Sequence, residues 1–267
     1  MKISGFTFVH NAIESGYPVF EAIAAVRSYV DEIVVVDMQS TDETREILNI
    51  RKSLPNFDVF HETKWYTPIH IIDGKWGNQA GETLKQAHSL YKECSGDIIL
   101  HFEADEVYSN SLLENIAKLI RSNKVYNIEV PRLQIEQNFQ RCRWYPEYVH
   151  RVWPKDDDII KNGHTTNRAI DPYANFTTPP EFGFLWDITN CFRDNWVNRV
   201  RKQAELWHGK ENYFGVPLHT LQDGQLIGGE KITEFLNEPH WAWKTTPFDI
   251  PDVLEPLVGM VKYEPTV

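Results

Sequence analysis

The run Ile33-Val34-Val35-Val36-Asp37 constrains this chain more than any other segment. Its β-branched apolar residues leave no polar face to show to water, so it reads as a strand buried on both sides of a helix-covered parallel sheet. The surrounding sequence supplies the crossovers that parallel strands need. Residues 3–9 read as a strand, and residues 18–30 as a helix with Val19, Phe20, Ile23, Val26 and Val30 inward. Ser40-Thr41-Asp42-Glu43 is a capping-box pattern, which predicts a helix continuing through Ile47 and Leu48. Residues 57–61 read as a third strand, residues 81–94 as a helix with Leu84, Ala87 and Leu90 on one stripe, and residues 98–102 as the strand that follows. This alternation predicts an α/β fold, a Rossmann-like and mostly parallel central sheet flanked by helices. Ligands of such sheets bind beyond the carboxyl ends of the strands. Asp37 closes one strand and Glu103-Ala104-Asp105 follows another, so a shared cleft is expected.

The second of these strand ends carries three acidic residues, Glu103, Asp105 and Glu106. In extended chain alternate side chains point the same way, which groups Glu103 with Asp105 and turns Glu106 elsewhere. Two carboxylates this close repel unless a positive charge lies between them, and hard oxygen ligands suit Mg²⁺ or Mn²⁺. The plain alternative is an ordinary acidic exit from a strand into a loop.

Thr7-Phe8-Val9-His10-Asn11, then Val36-Asp37-Met38-Gln39-Ser40-Thr41-Asp42-Glu43-Thr44, then Gly96-Asp97 leading into Glu103-Ala104-Asp105, together resemble the family 2 glycosyltransferases of the GT-A fold. The resemblance covers roughly residues 1–120, with Met38-Gln39 where the family writes Asp-Gly and Glu103 where it writes the first Asp of Asp-x-Asp. It implies a metal-dependent, inverting transfer of sugar from a nucleotide-diphosphate donor, most plausibly a UDP-sugar, to an acceptor hydroxyl. By the same resemblance, Asp37 accepts hydrogen bonds from the base, and Phe8, Val9, Asn11, Ser40, Asp42 and Ala104 line or shape the donor pocket. Asp105 binds Mn²⁺ or Mg²⁺ bridging the diphosphate, Glu103 touches the ribose or the metal, and Trp76 or Asn78 contacts the donor. The chemistry suits these residue types, because a departing diphosphate accumulates negative charge that a cation stabilises.

An inverting transferase also needs a carboxylate base, which the motifs of the first half do not supply. The candidates are Glu181, in a proline-stiffened loop after Pro179-Pro180, and Asp187, in the strand-like Phe184-Leu185-Trp186-Asp187-Ile188. Glu181 is the favoured one on loop position. Arg151-Val152-Trp153-Pro154 and Gly163-His164 resemble later family segments, with Thr165 where a glutamate is expected. His164 is therefore read as a loop histidine or a late metal ligand.

At 267 residues the chain suits one compact domain, divided at about residue 107 into a nucleotide-sugar half (1–107) and an acceptor half (108–267). A formal net charge of −11 argues against a nucleic-acid partner. The opening residues lack the apolar run of a signal peptide and no segment is long enough to span a bilayer, while three scattered cysteines read as reduced thiols, so a cytoplasmic location is expected. The rival readings are a sugar-1-phosphate nucleotidyltransferase, which would want a Gly-rich, Arg-containing loop after the first strand, and a non-catalytic nucleotide- or glycan-binding module.

Overall fold

The computed structural model describes residues 1–53, 56–58, 63–65, 67–76, 80–122, 127–136, 141–143, 147–155 and 176–190, with short strand segments at 212–213, 216–217, 221–222, 225–226 and 243–245. The first strand, β1 (Ile3–Val9), is followed by a single-turn helix α1 (Ala12–Ser15) and then by α2 (Val19–Arg27). Val19, Ala22, Ile23, Ala25 and Val26 of α2 are buried, a broader stripe than the larger side chains alone indicate. The chain returns through β2 (Glu32–Asp37), every residue of which is buried, and this is the central strand that its apolar run requires.

After β2 come α3 (Thr44–Lys52), a two-stranded antiparallel ribbon of β3 (Asn56–Asp58) and β4 (Thr63–Trp65), and β5 (Ile69–Asp73). The ribbon corrects one expectation. Residues 57–61 do not form the third strand of the main sheet; β5 does, pairing in parallel with β2 in the register Asp37 to Asp73. Ile69, Ile71 and Ile72 give β5 apolar contact with its neighbours, while exposed His70 and Asp73 suit an edge position. A second expectation is modified at α3, where the reciprocal capping box does not form. Asp42 caps instead, its Oδ1 accepting from the Thr44 amide at 3.0 Å.

Helix α4 (Ala80–Ser89) and a turn of tighter helix at Leu90–Glu93 lead into β6 (Ile98–His101), which pairs in parallel with β1. Next are β7 (Glu106–Tyr108) and α5 (Asn110–Arg121), capped by the Ser109 hydroxyl and burying Leu112, Leu113, Ile116, Ala117 and Ile120. Then follow β8 (Ile128–Glu136), β9 (Arg141–Arg143), β10 (Glu147–Pro154), β11 (Phe176–Thr177) and β12 (Leu185–Asn190). The sheet runs β8-β10-β6-β1-β2-β5, so strands from either side of residue 107 share one sheet. Helix α2 and strand β7 contribute to the apolar core on one face. On the other, Phe6, Val34, Val36, Ile99 and Trp153 pack with Ala87 and Tyr91.

Candidate active site

Strands β1, β2 and β6 run parallel with β1 in the middle, so Asp37 and residues 103–105 emerge at the same edge of the sheet. Asp37 is buried; its Oδ1 accepts from the Ser40 amide at 3.0 Å, and its Oδ2 lies 3.2 Å from Arg45 Nη1. The same Nη1 is 2.9 Å from Asp73 Oδ1, so one arginine joins the ends of two neighbouring strands. Asn11, Ser40 and Asp42 fasten the loops after β1 and β2 together. Asn11 adopts a left-handed conformation (φ 47°), which asparagine tolerates. Its Oδ1 accepts from the Thr41 amide at 2.7 Å, its amide donates to Ser40 Oγ at 3.0 Å, and Asp42 Oδ2 accepts from the Glu14 amide at 2.9 Å. These three residues shape the edge through the backbone they hold.

Above this edge the His10 ring stacks on Trp76, with centroids 3.8 Å apart and planes inclined by 17°. His10 Nδ1 lies 2.7 Å from the Met38 carbonyl, and the Trp76 amide donates to Gln39 Oε1 at 3.2 Å. Trp76 is exposed. Phe8 is half-buried, packed parallel to the His101 ring and edge-on to His88, whereas the Val9 side chain belongs to the core. Asn78 lies outside the described residues.

The acidic segment is organised by arginine. Arg151, wholly buried on β10, forks onto Glu106, Nε to Oε2 at 2.9 Å and Nη2 to Oε1 at 2.6 Å. Its Nη2 also reaches Glu103 Oε1 at 2.9 Å. Arg132 Nη1, on β8, lies 3.4 Å from Glu106 Oε1 and 3.7 Å from Asp187 Oδ2. The positive charge that Glu103 needs beside its acidic neighbours is supplied at least in part by the Arg151 guanidinium. Burial by itself would raise the Glu106 carboxyl, but the Arg151 and Arg132 charges and the bonds from Arg151 outweigh it and hold the group low. Glu103 goes the other way, raised by burial and by the Glu106 charge more than Arg151 lowers it.

Asp105 is half-buried in the turn between β6 and β7, where its carbonyl accepts from the Ile188 amide at 3.0 Å; Ala104 packs against the core. Among the described residues no three His, Cys, Asp or Glu side chains converge into a metal cage.

Of the two candidate bases, Asp187 joins this cluster. It is buried on β12, which pairs antiparallel with β7 so that Asp187 opposes Glu106, and in parallel with β8 so that it opposes Gln134. Glu181 is exposed in the turn Pro180–Phe182, beyond the far end of the β7–β12 pair, where Phe184 meets Ser109 at the start of α5. His164 and Thr165 lie outside the described residues. Sequence reasoning missed Arg132, Arg151 and Arg45. A charged residue alternating with apolar ones inside an interior strand, as in Val149-His150-Arg151-Val152-Trp153, is the signal that a buried carboxylate partner must exist.

The model of the family described as glycosyl transferase family 2 matches residues 7–200 of the chain. Comparison with curated proteins gives no match. Among solved structures the chain is similar to S. aureus TarS (residues 1–349, in complex with UDP-GlcNAc), at 15% identity, covering 58% of this chain and 46% of that one, with a TM-score of 0.41. It is also similar to glucosyl-3-phosphoglycerate synthase from Mycobacterium tuberculosis, in complex with Mn²⁺, UDP and glucosyl-3-phosphoglycerate, at 17% identity, covering 50% of this chain and 44% of that one, with a TM-score of 0.32. The aligned part thus spans less than half the length of either.

Proposed function

We propose that this chain, which belongs to glycosyl transferase family 2, is a glycosyltransferase of the GT-A fold, and we assign it a donor, a metal ligand and a catalytic base. The donor is a nucleotide-diphosphate sugar, most plausibly a UDP-sugar. Its base lies against Asp37 and the His10–Trp76 stack, and its diphosphate reaches the Glu103–Asp105 turn. The Asp37 carboxylate, held by Ser40 and Arg45, accepts from an N–H of the base, and Phe8 contributes apolar surface beneath it. Asp105 would hold a divalent cation, which would stabilise the negative charge of the leaving group. Glu103, tied to Arg151, is confined to the ribose side. Residues 1–107 serve the donor and residues 108–267 the acceptor.

Asp187 is the general base. In an inverting transfer it takes the proton of the acceptor hydroxyl as that oxygen bonds to the anomeric carbon and the bond to the diphosphate breaks on the opposite face. The single observation behind this assignment is the register that sets Asp187 opposite Glu106, next to the Glu103–Asp105 turn. Glu181, favoured on its proline-stiffened loop and on Thr165 standing where a glutamate is expected, lies at the other end of the same strand pair and is placed second to Asp187. UDP release from a panel of UDP-sugars with Mn²⁺, compared for Asp187→Asn and Glu181→Gln, tests the reading. Asp187→Asn should lose about 10²–10⁴-fold with UDP binding retained; loss on Glu181→Gln with normal turnover by Asp187→Asn reverses the roles.

A further inference from the structure

Glu106 already has two short hydrogen bonds from the Arg151 fork, at 2.6 and 2.9 Å. Arg132 is nevertheless buried on β8, with Nη1 3.4 Å from Glu106 on one side and 3.7 Å from Asp187 on the other. Two residues further along the same strand, Gln134 Nε2 donates to the same Asp187 Oδ2 at 3.5 Å. Cation and amide approach the same oxygen of the carboxyl group, so Arg132 and Gln134 together bias its orientation. Glu106 in turn accepts from the Glu103 amide through Oε2 at 3.1 Å, so the chain of contacts from Asp187 through Arg132 and Glu106 ends on the backbone of the donor turn.

We propose that Arg132 is a positioning residue: it orients Asp187 toward the acceptor and ties that carboxylate to the Glu103–Asp105 turn through Glu106. The proposal rests on Asp187 being the base. A residue that acts through another has no effect once the other is gone, and a double-mutant cycle reads this directly. UDP release from UDP-glucose and from UDP-N-acetylglucosamine with Mn²⁺ is measured for wild type, Arg132→Met, Asp187→Asn and the double variant. Misplacing a catalytic group by removing its orienting partner costs about 10–100-fold, so Arg132→Met should lower kcat by that factor while the donor KM and calorimetric UDP affinity stay unchanged. Arg132→Lys, which keeps the charge, should recover part of the loss. In the Asp187→Asn background the Arg132→Met substitution should cost nothing further.

An equal loss in both backgrounds, or a rise in KM with kcat unchanged, would overturn the positioning role and leave the base assignment standing. Normal release by Asp187→Asn would overturn the base assignment, and the positioning role with it. Should Arg132→Met fail to fold, the same cycle is run with Arg132→Lys, where the loss in the wild-type background must again vanish in the Asp187→Asn background.

Discussion

Replacing Arg151 by Met removes three hydrogen bonds from buried or half-buried carboxylates and keeps most of the side-chain volume, so it isolates the worth of the buried charge. The Glu106 side chain is only 1% exposed and cannot recover those bonds from water. Breaking a buried pair by removing one partner costs about 3–5 kcal/mol, against about 0–1 kcal/mol for an exposed pair. Arg132, still 3.4 Å from Glu106, compensates in part, which puts the expected loss near the lower end, about 3 kcal/mol. That is a large share of the roughly 5–15 kcal/mol by which a domain is stable. Urea unfolding of wild type, Arg151→Met, Glu106→Gln and the double variant at pH 7 measures it, and the double variant should be more stable than the sum of the single losses predicts. The pH dependence has a definite sign. Because the folded state holds Glu106 below its ordinary 4.5, its contribution is complete above that pH and fades as acid protonates it. The gap between wild type and Glu106→Gln should therefore narrow below about pH 4.5. A loss below about 1 kcal/mol for Arg151→Met, or strictly additive losses, would refute the reasoning.

Three further outcomes follow from the same geometry. Burial, and behind it the Arg151 charge, depress the His88 imidazole to about 4 from 6.5, so the stability it confers is present above pH 6.5 and is lost as pH falls toward 4. Thermal melts of His88→Leu should depend less steeply on pH in that window, and an unchanged slope counts against the assignment. A Cβ at Gly74 would lie 2.8 Å from Val36 Cγ1 and overlap the Met38 sulfur. Gly74→Ala should therefore destabilise by about 1–3 kcal/mol in urea unfolding, and a neutral result would mean the loop after β5 has room to move. Asp37→Ala removes the proposed acceptor for the base and should weaken UDP binding by about 1–3 kcal/mol in a calorimetric titration; equal affinity puts Asp37 outside the pocket.

Much of the sheet is legible in the sequence because strands buried on both faces write themselves as continuous apolar runs, as 33–37 and 98–101 do. Strand β5 is harder to read for the converse reason. At the sheet edge it carries His70 and Asp73 among its isoleucines, and residues 57–61 compete with it as an equally strand-like segment. Local pattern also misleads at Ser40, whose hydroxyl accepts from Asn11 across two loops instead of capping α3. The position of Asp37, Glu103 and Asp105 at one edge of the sheet is legible because each stands at or just beyond the end of a readable strand. That Asp187 lies opposite Glu106 is not legible, because it depends on the pairing of β12 with β7, a contact between distant segments that no local pattern encodes. Arg132 and Arg151 were hidden for a related reason: the partners that make a buried arginine tolerable lie on other strands.

The most direct test of the account is a calorimetric titration of UDP into the wild-type chain and into Asp105→Ala, each with and without Mn²⁺. UDP binding that is tight only with Mn²⁺ in the wild type, and that loses this metal dependence in Asp105→Ala with the fold intact, is the predicted result. UDP binding that is the same with and without the metal, and the same in both proteins, would contradict it.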